Sequence, residues 1–245
     1  VDLELEKGLA DHFPAEKATN PSRIFTPGKP AARGNPNPPY AASRYLEALL
    51  SERFPGENFE VINTGITAIN SNVILPIARD CARQHGDLWI IYMGNNEMVG
   101  PFGAASVFGA KAPPLALIRL NLALQKLRVG RLIMDLSRKL KGKSQNVSWG
   151  GMQMFLENQL APDDPAREVV CENFHRNLQD IVRVGLNSGA KIILSTVAVN
   201  LKDCPPFASI RSATLSPADR AAFDGFYTNG CVAMARGEFA EGARC

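Results

Sequence analysis

Four short apolar runs rich in β-branched or aromatic residues are spaced along the chain, at Arg23 to Thr26, Phe59 to Asn63, Leu88 to Met93 and Lys191 to Val199. Stretches of helical periodicity separate them, and this alternation constrains the fold more than any other feature. Such runs suit strands buried on both faces of a parallel sheet. Between the first two, AASRYLEALLSERF carries Tyr45, Leu46, Leu49, Leu50 and Phe54 at helical spacing and stops at Pro55-Gly56. Between the second and third, SNVILPIARDCARQHG predicts a helix that ends at Gly86. Before the fourth, REVVCENFHRNLQDIVRVGLNSG sets Val170, Phe174, Leu178, Ile181, Val182 and Leu186 on one stripe, with Gly189 as its stop. Strands and helices that alternate through short connections predict an α/β fold, a doubly wound parallel sheet between two helical layers.

With 245 residues, 45% of them hydrophobic, the chain can bury a full core. Its 27 basic and 24 acidic residues are too balanced for the whole surface to bind nucleic acid or membrane, so any basic function is local. Five cysteines without CxxC spacing and three histidines without ligand spacing argue against a disulfide framework and a zinc site. The chain holds no run of eighteen apolar residues, and VDLELEKGLADHF lacks the layout of a secretory signal. As it stands the chain reads as soluble, with its compartment open.

Parallel sheets place their chemistry at the carboxyl ends of the strands, where loops converge. Those ends read PGKPAARG, NTGITAIN, MGNNEMVGPFG and TVAVNLKDCPPF. Residues 1–22 form an N-terminal extension, and the α/β domain is expected over 23–210. It is interrupted at about 102–164 by a helical insertion that holds eight basic residues and one acidic residue (Asp135) between Leu115 and Lys143. The rest of the chain then carries about −4. A new helical unit spans 216–245, capped by Ser216 before Pro217.

The loop Gly94-Asn95-Asn96-Glu97 after the third strand, and Asn63-Thr64-Gly65-Ile66-Thr67-Ala68 after the second, resemble blocks of the SGNH (GDSL-type) hydrolase family. In that family the third block is Gly-x-Asn-Asp/Glu and the second is Asn-x-x-x-x-Gly. The resemblance covers roughly 23 to 205, including NFHRNLQDIV and KIILSTVAVN, and is nearest to bacterial members interrupted by tetratricopeptide helices. It implies a three-layer, flavodoxin-like fold and hydrolysis of an ester or acylated carbohydrate through a serine acyl-enzyme, with no metal or organic cofactor. By the resemblance Asn96 matches the oxyanion-binding Asn, and the second-block glycine falls on Ala68, so that Asn96, Gly65 and Ala68 remain of the oxyanion site.

The first block departs from the family. Where a strand should lead into Gly-x-Ser, the chain has Gly28, Lys29 and Pro30, with Pro30 at the nucleophile position. Proline has neither a hydroxyl to attack a carbonyl nor an N–H to bind an oxyanion. Ser22 precedes the strand and Ser43 lies inside the next helix. The Asp-x-x-His block is also missing, since neither His85 nor His175 has its context and the chain stops before that segment would arrive, so an incomplete, catalytically impaired domain is expected. Tyr227, Gly230, Gly237 and Phe239 resemble the start of a tetratricopeptide unit, with Gly242 where the pattern favours Ala.

Two other readings stand beside this one. A non-catalytic module would keep the cleft for a small ligand and use the repeat helices for a protein partner. The basic insertion offers Arg119, Lys126, Arg128 and Arg131 to an anionic membrane, set against the plainer reading of a solvated face over a core-facing leucine stripe. Nucleic acid is not expected, because the insertion lacks aromatic residues for stacking. Trp149 in SWGGM is a candidate for a substrate entrance, and Cys204 reads as a buried thiol.

Overall fold

Four strands form one all-parallel sheet in the order β2-β1-β3-β4, with β1 Pro21–Thr26, β2 Asn58–Asn63, β3 Leu88–Tyr92 and β4 Lys191–Ser195. The register pairs Ile24 with Val61, Phe25 with both Ile62 and Trp89, and Ile91 with Leu194. The computed structural model describes residues 17, 21–28, 30–34, 37–107, 111–127, 155–156, 158–200 and 214–245. Residues 1–16, Lys29, Arg128, Arg131, Trp149 and Cys204, as well as the side chains of Pro30 and Lys126, lie outside that description.

Each crossover is helical: α1 (Pro30–Arg33) and α2 (Ala42–Arg53) lead to β2, α3 (Ser71–Cys81) to β3, and α4 (Leu115–Lys126) with α5 (Ala166–Asn187) to β4. Right-handed crossovers put α2 on one face and α3 with α5 on the other, and α3 packs directly on α5. The α/β class with a parallel doubly wound sheet is therefore as the alternation of elements requires. The main core lies beneath α3 and α5 and holds Phe25, Ile62, Trp89, Ile91, Ile74, Leu75 and Ile181. Phe25 meets Trp89 edge to face, with ring centroids 6.4 Å apart at 82°.

Four expectations drawn from apolar spacing change in the folded chain. The fourth run ends as a strand at Ser195, and its side chains are mostly exposed, because β4 is the outermost strand among the described residues, where the covering helices leave part of its faces open. On α2 the expected stripe faces outward at Tyr45 and Leu49, whereas Ser43 is buried. On α5 the fully buried line is Val170, Asn173, Asn177, Ile181 and Gly185; Phe174, Leu178 and Val182 pack beside it, and Leu186 is exposed. On α4 the core is met by Leu115 and Ile118, and the remaining leucines do not form a core-facing stripe.

The chain divides into two compact units, Val1–Leu160 with Asp164–Pro205, and Ala161–Asp163 with Pro206–Cys245. In the second, α6 (Pro217–Ala235) pairs with the short α7 (Phe239–Gly242). Ser216 caps α6, its Oγ accepting from Asp219 N–H at 3.1 Å, with Pro217 at the first helical position.

Candidate functional site

All four carboxyl ends lie along one edge of the sheet, and the strand order reverses direction at β1, so the gap between β1 and β3 is the switch point where such sheets bind ligands. The loops after β1 and β3 flank that gap, and the loop after β2 leaves the same edge of the sheet beside β1. The first leaves β1 through Pro27 and Gly28, which forms an isolated parallel bridge to Tyr92. A Cβ at Gly28 would stand 2.3 Å from Ala32 Cβ and 2.8 Å from Tyr92 O, so only glycine allows α1 to start this close to β3. Pro30 opens α1, a first helical position where the missing N–H leaves no intrahelical hydrogen bond unmade.

The Asn63 side chain at the end of β2 ties the first two loops together. Its Nδ2 donates to Ala32 O at 2.8 Å and to Ser43 Oγ at 3.0 Å, while its Oδ1 accepts from Gly65 N–H at 2.9 Å. Gly65 is buried, and a Cβ there would lie 2.9 Å from Arg33 N. Ala68 has φ +56°, the left-handed region in which a side chain costs about 1–2 kcal/mol. The position at which the second block favours glycine thus has glycine-like backbone geometry, and it carries a methyl group nonetheless.

The third loop is joined to the second through α3. Glu97 is buried, and its carboxylate accepts from Ser71 N–H at 3.1 Å and from Ser71 Oγ at 2.7 Å, occupying the N-terminus of α3. Asn70 Nδ2 donates to Pro101 O at 2.7 Å. Asn96, half-buried beside Glu97, accepts from Gly100 N–H at 2.8 Å through its backbone oxygen. Behind them Asn177 Nδ2 donates to Ser71 Oγ at 3.1 Å and to Asn72 Oδ1 at 2.7 Å. Arg119 completes the chain, donating to Asn177 Oδ1 at 3.1 Å and Asp180 Oδ2 at 2.6 Å.

The fold brings the loops of Gly28, Gly65, Ala68 and Asn96 to one edge. The two described histidines are elsewhere. His85 precedes β3 and so belongs to the opposite, amino edge. His175 is exposed on α5, 2.9 Å from Gln179, two residues from both Asn173 and Asn177 and hence on the other face of that helix. Ser43 is buried under the Asn63 amide. Among the described residues, no three His, Cys, Asp or Glu side chains form a group that could hold a metal ion.

Residues to which the sequence gave no role of their own lend the edge its rigidity: Asn63 and Glu97, named there only within their motifs, and Asn70, Ser71 and Asn177. One signal pointed to Asn63, the Asn-x-Gly spacing of a turn in which the amide bonds its own backbone two residues on. Arg119, offered by the sequence to a membrane surface, is held in an ion pair with Asp180. Cys81 is buried, and desolvation pushes its thiol up to about 11.

Strand order and loop placement define a doubly wound α/β domain with its candidate site at the β1/β3 switch point. No family model and no curated protein matches the chain. Among solved structures it is similar to TesA, with 18% identity and a TM-score of 0.32 over 69% of this chain and 76% of that one. It is also similar to AlinE4, an SGNH-hydrolase family esterase, with 15% identity and a TM-score of 0.32 over 89% of this chain and 98% of the other.

Proposed function

We propose that this chain is an SGNH-type ester-hydrolase domain, its cleft shaped for an ester or acylated carbohydrate, in which acyl transfer is impaired. The observation that carries the reading is the contiguity of the three loops around the end of β1, with Pro30 immediately beyond the Gly28–Tyr92 bridge. An attacking serine at that position would supply both the nucleophile and an oxyanion N–H; proline supplies neither. Loss of one such donor is worth about 3 kcal/mol of transition-state stabilisation. Asn96 and the Ala68 N–H remain as oxyanion donors, and neither described histidine stands at the carboxyl edge to act as base.

The second reading is a binding module that keeps the cleft. It is favoured by the hydrogen bonds of Ser71 with Glu97 and of Asn70 with Pro101, which hold the second and third loops together without the residue at position 30. In either reading α6 and α7 open a tetratricopeptide-like segment for a protein partner, with Phe223 and Tyr227 stacked 6.3 Å apart and exposed.

The test is p-nitrophenyl acetate turnover together with fluorophosphonate labelling of the whole chain. No labelling and no turnover above background is the expected result. Stoichiometric labelling of any serine overturns the impaired reading. A rise in Tm with acetylated sugars and no turnover selects the binding module.

A further inference from the structure

Two asparagines, Asn173 and Asn177, lie on the line of α5 that is buried in the core, where a 3.6-residue repeat calls for apolar side chains. Both reach the segment that follows the third loop. Asn173 Nδ2 donates to Pro113 O at 3.2 Å, just before α4, and Asn177 meets Arg119 within that helix. A buried amide persists in a core only when its donors and acceptor are partnered, and Asn177, 1% exposed, has partners on both sides. Its Oδ1 accepts from Arg119 Nη2 at 3.1 Å, while its Nδ2 donates to Ser71 Oγ at 3.1 Å and to Asn72 Oδ1 at 2.7 Å. The same Nη2 also donates to Asp180 Oδ2 at 2.6 Å, which anchors the guanidinium to α5.

The direction of this chain of hydrogen bonds is set at its arginine end. A guanidinium carries donors and no acceptor, so the part of the Asn177 amide that faces Arg119 must be its oxygen, and the part that faces Ser71 must be its NH2. Because that NH2 donates to the Ser71 hydroxyl, the hydroxyl turns its single proton to Glu97 Oε2, at 2.7 Å. We propose that Arg119 is a positioning residue for the Asn96 loop. It fixes the sense of the relay from Arg119 through Asn177 and Ser71 to Glu97, and so holds the neighbour of Asn96 against the head of α3. The inference rests on the reading in which Asn96 faces a ligand of the cleft. Without a donor at position 119 the Asn177 amide can turn over and present its oxygen to Ser71, whose proton then leaves Glu97. The Asn96 peptide reports the outcome, since its oxygen accepts from Gly100 N–H at 2.8 Å. The seating of α4 on α5 thereby sets the geometry of a loop at the carboxyl edge.

The experiment is amide hydrogen exchange on the full chain, read at Ser71 and Gly100 and, as a control for global opening, at Phe25 and Ile91 in the paired strands. Arg119→Met is expected to speed exchange at Ser71 and Gly100 by about tenfold and to leave the two sheet amides within about twofold of the parent. Arg119→Lys can still only donate, so it should keep both loop rates near the parental ones. Asn177→Asp retains the acceptor for Arg119 and removes the donor to Ser71. It should therefore reproduce the Arg119→Met pattern despite its added ion pair. Parental rates at Ser71 and Gly100 in Arg119→Met overturn the proposal. Equal acceleration at all four amides does so too, since it reports lost stability and no positioning. Arg119→Lys as fast as Arg119→Met, or Asn177→Asp at parental rates, overturns the directional relay. None of these rates requires a bound ligand, so the relay and the ester-cleft reading fail separately, the latter through labelling, turnover and the Tm with acetylated sugars.

Discussion

Glu97 and Ser71, 26 residues apart, are joined at the head of α3 by the Ser71 N–H, which donates to both carboxylate oxygens at 3.1 and 3.4 Å, and by the Ser71 hydroxyl, which donates at 2.7 Å. The carboxylate sits where the first-turn amides of a helix favour negative charge, and it belongs to the residue that follows Asn96. The loop bearing a candidate oxyanion donor is thereby fixed to a helix of the core.

Ser71 Oγ both donates to Glu97 and accepts from Asn177. Ser71→Ala leaves a carboxylate oxygen and an amide N–H short of partners in a buried site, so it should lower unfolding free energy by about 2–3 kcal/mol in urea titrations. Asn177→Ala removes a partner of the same hydroxyl. The double variant should lose less than the two single changes together, with a coupling of at least about 0.5 kcal/mol. Strict additivity would show that the network is not a unit.

Arg23, in the central strand, is fully buried. Its Nε donates to Glu60 Oε2 at 2.7 Å and its Nη1 to Gln84 O at 2.9 Å. Glu60→Ala removes a carboxylate acceptor from the buried cation and should cost about 2–3 kcal/mol. Arg23→Met leaves a carboxylate that water reaches in part and replaces the guanidinium with a packed apolar chain, so it should cost less. Equilibrium denaturation of both variants gives the order, and the reverse order would contradict the burial asymmetry.

Asp87 titrates below its ordinary 3.8. Burial acts to raise it, and hydrogen bonds from Lys17 Nζ, at 2.6 Å, and from Arg23 N–H, at 2.7 Å, outweigh that effect together with the charges of both residues. A carboxylate depressed by folding contributes stability above its unfolded pKa and loses it as pH falls through the lower folded value. Tm should therefore drop as pH descends from 3.8, and Asp87→Asn should flatten that limb while lowering Tm at neutral pH. A variant that keeps the acid slope would place the titration elsewhere.

Ala68 at φ +56° predicts an unusual substitution. Ala68→Gly relieves the left-handed strain of about 1–2 kcal/mol and adds unfolded-chain entropy of about 0.4–1 kcal/mol. The variant should be as stable as the parent or more so by up to about 1.5 kcal/mol in thermal melts. At an ordinary loop angle the same change would destabilise.

Strands and helices were legible because burial on both faces demands unbroken apolar runs, and burial on one face demands a 3.6-residue repeat; Leu88 to Tyr92 and SNVILPIARDC show each. The loops of Gly65 and Asn96 were legible because strand ends in a parallel sheet converge by topology. Asn177 and Arg23 were not. Apolar periodicity assigns polar residues to the surface, and nothing local tells an amide at position 177 that a serine 106 residues away will complete it.

What the chain order alone determined is the α/β alternation and the edge at which Gly28, Gly65, Ala68 and Asn96 meet, since both follow from local periodicity and the handedness of crossovers. Which apolar faces find cover was decided only by tertiary packing. Tyr45 and Leu49 on α2, Ile193 and Leu194 on the last strand, and the outer leucines of α4 have the same composition as the core and remain exposed. Hydrophobicity drives burial without direction, so the partner surface that each face meets is a property of the assembled layers and not of the segment.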